Sequence, residues 1–356
     1  AHGRMSVYYK LISEDRTAQA EKNRVKAEQT MKEGLEAAGG SLEMSFVYSK
    51  ESLLHRARVL TANREKPGTY SQAAVDEANR IAIQSIDALI ASYDPAIHSD
   101  RTLAVVGLLS GSGNGGREKG VDIYKQHVEM NEDDQTIRYF YANALKDLGR
   151  SEEAKVEAMI ALDAPQQPVG LGSTQQFYLR PEAANILFKL AIVDADKAET
   201  EEDQERKLSI ARDWKARILD YVSGDSTNPM ILEADGDLLM VQQDFREAAT
   251  KYEDLISRYP LPQTEFMVYI KSARCLFISG APGLAKERLT DVIDLQKNVS
   301  FDFYILMAKI EMSLSNNDAA LTALANLPAD LIANDQDLKD MLDTIALQKG
   351  NSETKF

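Results

Sequence analysis

The chain is poor in the residues that usually advertise chemistry. It has one cysteine, Cys275, ten prolines and four histidines. No apolar run approaches the length needed to span a bilayer. A single cysteine excludes an intrachain disulfide framework, and in "SARCLFISG" it reads as a small core residue rather than a reactive thiol. His2, His55, His98 and His127 fall in no H-x-x-x-H or H-E-x-x-H pattern, so no zinc site is suggested. His127 reads as a satisfied, partly buried histidine rather than a catalytic base. No G-x-S-x-G elbow or Ser–His arrangement stands out. A signal peptide is also missing. The opening "AHGRM" reads as a cloning remnant, which leaves room for a native leader or membrane anchor ahead of it. The compartment is left open between the cytoplasm and the soluble part of an envelope-associated protein.

Basic charge is scarce too. Lys and Arg total 41 against 56 Asp and Glu, for a net charge of −15. Such a surface repels phosphate backbones, so nucleic acid is not an expected partner. The acidic clusters "NEDD" (131–134) and "EADGD" (233–237) lack the twelve-residue calcium-loop pattern and read as solvated surface. No metal or cofactor is expected.

What is present is helical periodicity. Ala, Leu, Glu, Lys, Asp and Gln dominate, and apolar residues recur at spacings of three and four across most of the 356 residues. Breaks fall at "KPGTY", "LDAPQQPVGLGS", "SGDSTNP", "RYPLPQ", "SGAPG" and "NLPAD". Between the breaks lies an internal repeat. Ala142, Gly149, Ala154, Ala158, Ala161 and Pro165 occupy successive roles in "YANALKDLGRSEEAKVEAMIALDAP". Gly236, Ala248, Tyr252 and Pro260 repeat those roles, then Ala273, Gly280, Ala285 and Leu289, then Tyr304, Ala308, Ala320, Leu324 and Pro328. The alanines that open the second helices, Ala248, Ala285 and Ala320, lie 37 and 35 residues apart. A small residue where two helices cross lets their axes approach, and one hairpin alone cannot bury its apolar face, so the units are expected to stack.

This pattern resembles the tetratricopeptide repeat, clearly over about 101–166 and 229–328 and in degenerate form elsewhere. The resemblance implies an all-α fold, a right-handed superhelical solenoid of stacked antiparallel hairpins. A polar helix over roughly 7–38 and a long hairpin (49–65 with 71–95) precede the clear repeats, and a degenerate hairpin covers 180–222. A capping helix is expected over 329–349. The loop "APQQPVGLGSTQQF" is expected to be mobile. The expected regions are 1–98, 99–228 and 229–350.

One stretch competes with this reading. "LAVVGLLSGSGNGGREKG" (103–120) could be a strand followed by a phosphate loop, since Gly111, Gly113 and Gly116 spell G-x-G-x-x-G. Arg117 and Glu118 stand where a P-loop needs Lys and Ser or Thr, and no second strand–helix unit is visible. Against the repeat, Gly115 matches Gly149 and Gly120 matches Ala154, which makes the stretch a turn rich in glycine. A helix over 103–109 favours the turn; a strand favours a nucleotide.

In the family, a groove built by the first helices commonly holds a peptide or partner helix. By repeat position its candidates here are Tyr139, Asn143, Lys146 and Asp147; Glu233, Asp237 and Met240; Ile270, Arg274 and Phe277; and Ile305, Lys309 and Met312. The Lys/Asn set with which chaperone-tail binders hold a terminal carboxylate is not reproduced. The leading expectation is a non-catalytic scaffold or adaptor for a protein or peptide partner, placed in a bacterial envelope or assembly machine. The alternatives are a nucleotide- or phosphate-binding accessory using 111–117, and a self-assembling structural protein.

Overall fold

The computed structural model describes residues 40–112, 115–164, 169–170, 176–260, 265–295 and 300–353, with scattered positions between 22 and 36. Those scattered positions are helical; the rest of the expected helix over 7–38 lies outside the described residues. The chain divides into two compact units, Ala1–Leu179 and Arg180–Phe356.

The first unit holds α1 (Leu42–Glu65), α2 (Gln72–Ser92), α3 (Thr102–Ser110), α4 (Gly116–Met130), α5 (Gln135–Asp147) and α6 (Ser151–Ala161). Ser41 and Ser71 accept backbone N–H groups at the starts of α1 and α2, which sets where both helices begin. The loop after α6 contains a two-residue antiparallel ladder, Val169↔Phe177 and Gly170↔Gln176; the remainder of "APQQPVGLGSTQQF" lies outside the described residues.

The second unit holds α7 (Leu179–Asp196), α8 (Glu201–Tyr221), α9 (Pro229–Val241), α10 (Phe245–Arg258), α11 (Phe266–Ile278), α12 (Pro282–Leu295), α13 (Phe301–Ser313), α14 (Asn317–Leu324), α15 (Ala329–Asn334) and α16 (Gln336–Glu353). Pro229 occupies the first turn of α9 behind an Asn228 cap. The single capping helix expected over 329–349 is two helices. Asp335 breaks the chain in an extended conformation and its Oδ1 accepts the Leu338 N–H, which starts α16 afresh.

Five of the hairpins turn on a residue with positive φ: Gly115 (71°), Gly149 (73°), Gln243 (63°), Gly280 (84°) and Ser315 (62°). In four of them the next N–H reaches back five residues: Arg150 to Leu145 O, Asp244 to Leu239 O, Ala281 to Leu276 O and Asn316 to Glu311 O, at 2.8–2.9 Å. This bond satisfies a carbonyl that the helix end would leave open. The repeat therefore exists as a local motif as well as an apolar period.

The small residues sit where the helices cross. Ala154, Ala158, Ala248, Ala285, Ala308 and Ala320 are fully buried. Gly236 admits the ring of Tyr252, because a Cβ there would stand 2.5 Å from Tyr252 Cε1. In the second unit one continuous core runs from Leu232 to Ile345 and includes Cys275. Each unit is an all-α stack of helix hairpins.

Residues 102–110 form helix α3, not a strand. The run is apolar throughout, so its periodicity alone does not separate the two. Its glycines have packing duties. A Cβ on Gly116 would lie 2.0 Å from Leu109 O, and one on Gly120 would lie 3.0 Å from a Val106 methyl, so both let α4 close on α3. Gly113 and Asn114 lie outside the described residues.

Candidate functional site

The first helices of the second unit carry most of the residues that repeat position singles out. Four of them meet. Arg274 and Phe277 of α11, with Ile278, form one wall of a cavity of about 330 Å³. Ile305 and Lys309 of α13, with Asp302 and Leu306, form the other. Arg274 and Lys309 are exposed, Phe277 and Ile305 half-buried, and Leu306 forms a buried floor. Helix packing explains the arrangement. Ala273 and Ala308 are fully buried, and Arg274 and Lys309, the next residue on each helix, are exposed.

The remaining positions behave differently. Ile270 is 3% exposed and belongs to the core rather than to a surface. Met240 and Met312 are half-buried against that core. In the first unit, Tyr139 packs edge-on to Phe140, Asn143 is half-buried, and Lys146 pairs with the exposed Asp147 at 3.2 Å.

Glu233 and Asp237 overturn the reading of "EADGD" as solvated surface. Lys271 Nζ of α11 lies 2.8 Å from Glu233 Oε1 and 2.7 Å from Asp237 Oδ1, and Lys189 Nζ of α7 lies 3.3 Å from Glu233 Oε2. The Tyr252 hydroxyl donates to Asp237 Oδ1 at 2.6 Å. Burying an unpaired ion costs several kcal/mol, on the order of 3–5 when one partner is lost; here every buried charge has a charged partner. Burial alone would raise the Glu233 pKa, but Lys271 and Lys189 outweigh it and bring it down to about 2. Burial would likewise lower Lys271, yet Asp237 and Glu233 hold it above the ordinary lysine range. Tyr252 is pushed up by burial and by Asp237. At neutral pH Glu233 and Lys271 are therefore held in their charged forms.

Two further ties join neighbouring hairpins. Glu253 of α10 accepts from Arg288 of α12 at 2.8 Å and from Ser272 of α11 at 2.6 Å. Glu311 of α13, nearly buried, pairs with Lys286 of α12 at 2.8 Å. Among the described residues no group of three or more His, Cys, Asp or Glu is placed to hold a metal ion.

"NEDD" is likewise not all solvated. Asp134 caps α5 by accepting the Ile137 N–H at 3.0 Å through Oδ1, while Oδ2 faces His127 Nε2 at 3.0 Å. His127 Nδ1 meets Thr102 Oγ1 at 2.8 Å, and the Tyr93 hydroxyl meets the same oxygen at 2.7 Å. An ionised carboxylate only accepts, so Nε2 carries the proton and Nδ1 is an acceptor. Thr102 Oγ1 also donates to the Ser99 carbonyl at 2.9 Å, so its one proton is shared between that carbonyl and the imidazole. Hydroxyl, imidazole and carboxylate thus line up as in nucleophilic hydrolases. Thr102 and His127 are nevertheless 0% exposed, and no substrate atom reaches the hydroxyl in this conformation. The chain of bonds ties α3, α4 and α5 together. Sequence spacing gave no sign of it, because the members lie 25 and 7 residues apart.

Among the described residues no helix is long and apolar enough to cross a membrane.

No family model matches the chain, and no curated protein matches it in sequence. Solved structures do. A chain from an APC/C hetero-tetramer matches at TM-score 0.50 and 12% identity, over 91% of this chain and 59% of that one. The fold is a tetratricopeptide-like helical repeat. Tetratricopeptide proteins from Parabacteroides merdae (TM-score 0.47, 16% identity, 83% of this chain, 99% of that one) and from Thermus thermophilus (0.47, 13%, 60% and 98%) are also similar. At these identities the likeness concerns fold alone.

Proposed function

We propose that the protein is a non-catalytic scaffold that holds a peptide segment of a partner protein against its first helices. The observation that carries this reading is the cavity between α11 and α13, where Arg274, Phe277, Ile305 and Lys309 converge from two successive repeats. It combines an apolar floor with polar groups at its rim, the layout of a recognition pocket rather than of a packing defect. The test is affinity capture with the full-length protein, repeated with Arg274→Glu and with Lys309→Glu. Loss of a captured partner in both variants supports the groove. If both variants retain every partner, the reading fails.

A further inference from the structure

We propose that the α11/α13 cavity selects an acidic peptide segment in which side-chain carboxylates flank one bulky apolar residue. The proposal rests on the scaffold reading above and specifies its ligand.

The first ground is charge. In a protein of net charge −15, the cations on and beside α11 are taken up by carboxylates: Lys271 by Asp237 and Glu233, Arg288 by Glu253, Lys286 by Glu311. Arg274 and Lys309 differ. Among the described residues neither side chain enters a salt bridge or a side-chain hydrogen bond, and both are exposed at the rim of a cavity. Two free cations facing one recess attract carboxylates from outside the chain.

The second ground is placement. Arg274 stands on the α11 wall and Lys309 on the α13 wall, with Phe277, Ile305 and Leu306 between them. Two carboxylates on either side of an apolar side chain satisfy both while that side chain fills the floor. A cavity of about 330 Å³ takes one Leu- or Phe-sized group at the low end of pocket sizes. Asp302 at the same rim is an acceptor for a backbone N–H of the bound segment, and it repels a segment whose acidic residue is shifted toward it.

The probe is a fluorescein-labelled twelve-residue peptide, acetylated and amidated so that side chains supply its only carboxylates. It carries Glu residues on both sides of a central Phe. Companion peptides replace Phe with Ala, or Glu with Lys. Anisotropy titrations of the full chain are expected to show saturable binding of the Glu/Phe peptide alone, weakening as salt rises. Arg274→Glu and Lys309→Glu are each expected to weaken it roughly tenfold or more, and Lys339→Glu, an exposed cation elsewhere, to leave it unchanged. Equal binding of the Lys peptide, insensitivity to both rim substitutions, or no binding of the Glu/Phe peptide overturns the proposal. Far-ultraviolet circular dichroism confirms that each variant is folded. If the Glu/Phe peptide does not bind but partner capture is still lost in the rim variants, the acidic class falls and the groove stands. If capture persists in the variants, the groove itself falls.

Discussion

The Tyr252 hydroxyl donates to Asp237 Oδ1 from a ring that occupies the space a side chain on Gly236 would need. Helix approach, ring burial and charge satisfaction therefore depend on one missing methyl group. Gly236→Ala is expected to destabilise the second unit by about 1–3 kcal/mol through overpacking, despite the better helix propensity of Ala. Urea denaturation followed by circular dichroism measures this, and a neutral or stabilising result would contradict the packing described.

Lys271→Met removes the cation from the buried Asp237 and the half-buried Glu233. The expected loss is about 3–5 kcal/mol at pH 7. Double substitution with Asp237→Leu is expected to recover part of it, because fewer charges are then left unpaired. A double variant no more stable than Lys271→Met would show that the carboxylates are not the source of the loss.

Acid sensitivity follows from Glu233. Its folded pKa is about 2, against an ordinary value of 4.5. A depressed carboxylate contributes stability that is fully present above about pH 4.5 and declines as pH falls toward 2. Urea midpoints at pH 7, 4.5 and 3 are expected to fall across the acid interval. In Glu233→Gln that fall should be shallower; an identical pH profile would remove Glu233 as a contributor.

The turn residues supply a paired test. Gly280 has φ +84°, and no atom lies within 4 Å of the place a methyl group would take, so Gly280→Ala acts through backbone strain alone and is expected to cost about 1–2 kcal/mol. Ser315 adopts φ +62° without being glycine, so Ser315→Gly is expected to raise the melting temperature slightly. Opposite signs at equivalent sites are the diagnostic, read by differential scanning calorimetry.

Cys275 is buried and its thiol is pushed up to about 11, chiefly by burial. The native protein is expected to resist a disulfide reagent at pH 8 and to react readily in denaturing urea. Fast native labelling would show that α11 opens locally.

The hairpins were legible in the sequence because the repeat writes the same small residues and turn glycines at intervals near 34. Gly236, Gly280 and the alanines at 248, 285 and 320 could be assigned from the period alone. Arg274 and Lys309 were also within reach, since residues 35 apart occupy equivalent places on successive first helices. The fate of Glu233 and Asp237 was not legible. Charges on a helix read as solvated until the neighbouring hairpin brings Lys271 over them, and that contact spans 34 residues or more. Thr102, His127 and Asp134 were hidden for the same reason, their bonds crossing three helices. The run 103–109 was ambiguous because continuous apolarity carries no period. Ile270 was misplaced because α11 is covered by core on a wider arc than repeat position alone implies.

The buried pairs linking α7, α9 and α11 also determine how this array can be edited. In a solenoid of interchangeable units, hairpins can be deleted, duplicated or swapped. Here Lys189, Glu233, Asp237 and Lys271 act as an address code, each valid only beside its own neighbour. Excising the α9/α10 hairpin would leave Lys189 and Lys271 facing each other with no anion between them, and duplicating it would strand a second pair of carboxylates. The order of the repeats is thus enforced by the cost of a misplaced charge, and shuffling these modules is a route to unfolding rather than to a longer protein.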